Sequence, residues 1–146
     1  MKSKEENEFL SYVHMAASLF REYAKKSNVL EVKNFLNVII EKLSKHEEEV
    51  KESMEITKNG NELSMMQNMV LCMNKMKINM MKNCFEICIE ALKTVDMAIY
   101  QISRFIKKNK NVVRKDFLDK SIFVLKEYDK IGNEIRKFIF SHYLFD

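Results

Sequence analysis

Proline and tryptophan are missing from these 146 residues, and glycine occurs only twice, at Gly60 and Gly132. Sheet proteins and loop-built enzymes need glycine and proline at tight turns, so their scarcity argues for long helices joined by few connections. With two glycines, a phosphate-cradling loop is close to excluded, and catalytic-serine and zinc-knuckle patterns are absent too. No stretch approaches the ~18 uncharged apolar residues of a membrane-crossing helix. No apolar signal core follows the lysines of MKSKEENEFL. Neither export nor membrane insertion is indicated, and a cytoplasmic location is the expectation.

What the chain does have is 47% hydrophobic and 32% charged residues, the balance of a soluble helical bundle. The length suits one domain, residues 1–146, with a real core. Three cysteines, Cys72, Cys84 and Cys88, sit in apolar surroundings. The last two lie one helical turn apart, poorly placed for a disulfide, so buried reduced thiols are expected. Charge is unevenly spread: residues 1–62 carry 10 Lys/Arg against 12 Asp/Glu, whereas 63–146 carry 15 against 9. The basic excess gathers in RFIKKNKNVVRKDFLDK, residues 104–120. Asp116 and Asp119 interrupt that run and no aromatic platform accompanies it, so a solvated connection is expected and a polyanion surface is the lesser alternative.

Apolar spacing marks four long helices. Phe9, Val13, Ala16, Phe20 and Tyr23 recur at helical steps over about 4–27, with Ser27 or Asn28 expected to cap the next helix. That helix covers about 29–57, with Val32, Leu36, Ile39, Leu43, His46 and Val50 facing inward, and KNGNE (58–62) stops it. A single helix over 63–108 would outreach its neighbours, so a break is expected near Asn74–Asn83, leaving 63–80 as a short connecting helix. The last rod runs from about 112 to 142. Short breaks within each pair imply antiparallel hairpins, and the longer middle segment implies a crossover.

The connecting segment, MMQNMVLCMNKMKINMMKNC (65–84), is rich in sulfur. At ~100° per residue, Met65, Met69, Cys72, Met73, Met76 and Met80 share one arc. Soft sulfur ligands select Cu(I). Met66, Val70 and Met81 widen the apolar surface beyond that arc, however, so core packing is expected, with a soft-metal site and a sticky partner surface as lesser alternatives. Among polar groups, His46 and Glu49 share a helical face and are candidate metal ligands, while Glu41, Glu47, Glu48 and Glu52 read as a solvated acidic face with His46 at its border. His14 is expected to be a hydrogen-bonded residue between helices.

FREYAKKSNVLEVKNFLNVIIEKLSKHEEEV, residues 20–50, resembles the first hairpin of the ferritin-like superfamily, rubrerythrin-type members in particular. Ala16, Phe20, Ala24, the turn at Asn28, Phe35-Leu36 and His46 fall where that family has its small and aromatic residues, its turn, its Phe/Leu stretch and the His of Glu-x-x-His. A faint internal echo extends the likeness, laying Phe20 on Tyr100, Leu43 on Leu125 and His46 on Tyr128. The ligand positions that the resemblance implies hold Val13, Leu43, Lys93, Leu125 and Tyr128, so only His46 is retained.

The resulting expectation is an all-α, antiparallel four-helix bundle, ferritin-like, with a short crossover helix between the second and third long helices. Its function would be non-catalytic, through self-association as a homo-oligomer or through a protein partner, with nucleic acid and membrane not expected and no cofactor. The alternative is a metal-binding protein or oxidoreductase holding iron through His46, Glu49, Glu22 and Glu127.

Overall fold

The computed structural model describes residues 4–54, 65–81 and 83–145. The KNGNE stop and the side chains of Met65, Met66 and Met69 lie outside the described residues. Within them the chain is a bundle of five α-helices with no strand: α1 (Lys4–Lys26), α2 (Leu30–Ser53), α3 (Met65–Asn79), α4 (Cys84–Asn109) and α5 (Lys115–Ile139). A π-helical turn, Phe140–Leu144, follows α5. No helix among the described residues is long and apolar enough to cross a membrane.

Each long helix buries a stripe at three- and four-residue steps. On α2 it is Val32, Leu36, Ile39, Leu43, His46 and Val50; on α5 it is Phe117, Ser121, Val124, Tyr128, Ile131, Ile135 and Ile139. The broadest buried surface belongs to α1, which packs against α2, α3 and α4 and hides Leu10, Ala17 and Leu19 besides its main stripe. Glu5 and Glu6 in its first turn and Lys25 and Lys26 in its last complement the helix dipole. One end of the core is an aromatic group: Phe9 meets Phe105 and Phe117 at ring-centroid distances of 5.1 and 5.6 Å. Edge and tilted packing of such rings adds about 0.5–1.5 kcal/mol per pair beyond burial.

Side chains on facing helices record how the rods sit. Across α1 and α2, His14 meets Glu47 and Arg21 meets Ser44. Across α2 and α5, Phe35 stacks on Phe138, Lys42 bonds Glu134 and His46 approaches Glu127. Phe9 and Tyr23 of α1 reach Phe105 and Thr94 of α4, and Arg136 of α5 reaches Asp96 of α4.

α3 ends at Asn79 and α4 begins at Cys84, where Asn83 Oδ1 accepts the Glu86 amide and caps α4. The cap of α2 differs from expectation. Val29 occupies the N-cap with no side-chain bond, because Ser27 Oγ donates to Tyr23 O and Asn28 Oδ1 receives the Cys84 thiol. Both polar groups finish α1 and tie it to α4 instead of starting α2. The internal echo does not preserve facing either: Phe20 is fully buried and its counterpart Tyr100 is 57% exposed.

Candidate functional site

Three places gather chemistry: the polar group around His46, the outer face of α3, and the seam between α1 and α4. His46 is buried and does not border a solvated face, because the α2 stripe carries it inward against Tyr128 and Phe123, at 6.5 and 6.0 Å between ring centroids. Its Nδ1 lies 3.1 Å from Glu49 Oε1, and its Nε2 lies 3.7 Å from Glu127 Oε1. The fold thus unites three of the four candidate ligands. Glu22 stays on α1, paired with Lys25.

The donor set fits an iron centre poorly. Glu49 and Glu127 address opposite nitrogens of one ring, so a cation at Nε2 would meet one of these two carboxylates. Lys130 donates to Glu127 at 3.0 Å and holds its carboxyl below the usual range, with the charges of His46 and Lys42 adding to the effect. Positions 13, 43 and 128, where the resemblance would place ligands, hold fully buried Val13, Leu43 and Tyr128, while Lys93 sits outside, paired with Glu90. Among the described residues no group of three or more His, Cys, Asp or Glu could hold a metal ion.

A residue that the sequence left on the acidic face lies inside: Glu47 is 5% exposed. His14 Nδ1 donates to its Oε2 at 2.7 Å, bearing out the bridging reading of His14. Burial pushes the Glu47 carboxyl up, but the His14 bond and the charges of His14, Lys51 and Arg21 outweigh it and leave the group below its ordinary value. Tyr128 sits fully buried near Glu47, and its hydroxyl has no hydrogen-bond partner among the described residues. The signal for Glu47 was its place one residue beyond His46, at the edge of the buried stripe, where a partner on α1 could draw it in.

The sulfur arc corrects a second expectation. On α3, Leu71 and Ile78 are buried, whereas Met73, Met76 and, just past the helix end, Met80 are 66%, 62% and 78% exposed, and Cys72 is exposed with them. These residues do not pack into the core. The interior is already filled by the four long helices, and α3 rests mainly on α1, so one side of it is covered and the arc faces out. Cys84 and Cys88 are buried free thiols as expected, with burial raising Cys88 to about 11.

At the α1–α4 seam, two depressions meet. One, of about 370 Å³, lies between α1, α3 and α4; the other, of about 570 Å³, carries Arg104, Lys107 and Lys108 on its wall. Further along the basic run, Arg114 is engaged by Glu6, Asp116 and the Ser53 carbonyl, and Lys115 by Asp119. The free cationic surface is therefore smaller than the sequence implied. Comparison with family models, curated proteins and solved structures found no match.

Proposed function

We propose that the protein is a non-catalytic helical bundle that self-associates through the outer face of α3. The four long helices then form an antiparallel, ferritin-like bundle with α3 as its crossover. The facing pairs His14–Glu47 and Arg21–Ser44, or Lys42–Glu134 and His46–Glu127, support the opposed directions. The observation that carries the function is the uncharged arc of Cys72, Met73, Met76 and Met80, held in water by a helix whose other side is buried. Unbranched thioether side chains adapt to irregular partners, and an exposed apolar stripe of this kind gains by being covered.

The spacing of the arc favours a second copy of the chain. In a two-fold pairing of opposed α3 helices about Met76, Cys72 of one copy stands against Met80, the residue just past the helix, of the other, and the relation is reciprocal. Lys77, one of the two lysines flanking Met76, is already paired with Glu90 at 3.1 Å, which lowers the positive charge that the two copies bring together there.

Sedimentation velocity over a range of concentrations tests the reading. A reversible dimer is expected, weakened roughly tenfold or more by Met73→Glu with Met76→Glu. A wild-type chain that stays monomeric at high concentration would overturn it, as would a dimer indifferent to the double substitution. Elemental analysis of protein from iron-supplemented cells addresses the second reading, metal binding, which draws on the closeness of His46, Glu49 and Glu127. Near-stoichiometric iron lost in His46→Ala would favour it.

A further inference from the structure

The seam between α1 and α4 is an amphipathic groove outside the proposed α3 interface. Under Val70 and Asn74 of α3, its floor is mainly apolar, with Met15, Ala16, Leu19, Met97 and Ala98 beside the polar Glu90, Lys93 and Thr94. Tyr12 and Gln101 line both depressions, so the apolar stretch opens directly into the basic one. From Met97 to Lys107, α4 climbs ~15 Å.

The two ends differ in charge. Beside the apolar floor, Glu90 already binds Lys77 and Lys93. In the basic depression the single carboxylate, Glu8, accepts the Tyr12 hydroxyl, and Arg104 lies over the Tyr100 ring at 5.5 Å. Lys107 and Lys108 make no ion pair among the described residues. Three cations therefore face one engaged anion at the open end of a greasy trough.

We propose that this seam binds a single-chain aliphatic anion, a free fatty carboxylate, with the hydrocarbon along the α1–α3–α4 floor and the head group at Arg104, Lys107 and Lys108. The hydrocarbon supplies most of the attraction, and the cations set direction and select an anionic head. A half-open trough gives about two- to fourfold tighter binding per added methylene until the floor is covered.

The test uses the full chain with 13C-labelled methionine methyl groups, titrated with dodecanoate below its micelle concentration. Saturable shifts are expected at Met15 and Met97, with the buried Met54, away from the groove, unmoved. Lys107→Glu with Lys108→Glu, both at exposed sites, should weaken dodecanoate about tenfold and leave dodecanol unchanged. Shifts confined to Met73, Met76 and Met80 would overturn the proposal, since they would report adsorption on the α3 face. An equal loss for dodecanol would do so as well, and so would Met15 and Met97 shifts that follow protein concentration without ligand, which would make the groove a contact between copies.

Discussion

Gly132→Ala should stabilise the protein. Gly132 lies well inside α5 on its buried side, where glycine costs a helix about 1 kcal/mol relative to alanine. A Cβ there would meet Val95 Cγ1 at 3.7 Å, ordinary contact, and Arg136 Nη1 at 3.3 Å, slightly tight. The tight neighbour is the far end of a flexible side chain. Arg136 must give by a few tenths of an ångström, loosening its 3.0 Å bond to Asp96. That pair is substantially exposed, so its loss costs ~1 kcal/mol at most. Against this stand the propensity gain and up to ~0.8 kcal/mol from burying a methyl group. The net expectation is a gain of about 0.5–1.5 kcal/mol, or roughly 2–5 °C in Tm for a chain of this size. Urea denaturation with an unchanged slope, at one fixed protein concentration, reads it directly. A loss of ~1 kcal/mol or more that persists when Arg136 is also changed to Ala would refute the reasoning, since Val95 and the α4 backbone would then be the obstacle.

Three further outcomes follow from the buried polar groups. Tyr128→Phe removes an unpartnered hydroxyl from a fully buried site and should be neutral or stabilising by up to ~1 kcal/mol in denaturant melts; a loss of that size would mean the hydroxyl is bonded in solution. Arg114→Met leaves the buried Glu6 without that cation and frees the Ser53 carbonyl, which should cost about 2–4 kcal/mol, and an effect under ~0.5 kcal/mol would contradict the clamp. Because the Glu47 carboxyl is held below its ordinary value, its contribution is present above that value of 4.5 and drains away as pH falls through the lower folded value. Stability followed from pH 6 down to about pH 3 should therefore fall less steeply in Glu47→Gln, and identical slopes would show that the pair with His14 contributes nothing.

Periodicity and turn chemistry are local, and what depends on them was legible in the residues. The four long helices and the break before α4 could be read from spacing, and His14, a lone histidine in the middle of the first helix, as a hydrogen-bonded residue between helices. Four features could not be read that way. Ser27 and Asn28 look like caps, but they bond to Tyr23 and Cys84. Glu47 looks like one more surface acid until α1 lays His14 against it. Lys42 and Lys130, charges that follow from helix pairing and local reach together, surround Glu127 and turn a ligand-like triad into an ion-pair cluster. The methionines of α3 show the difference most plainly. Their arc was visible in the sequence, but its direction depends on which side of α3 meets α1, and only the packing of the filled bundle decides that. An amphipathic pattern records that a helix has a greasy side; whether that side is covered is a property of its neighbours.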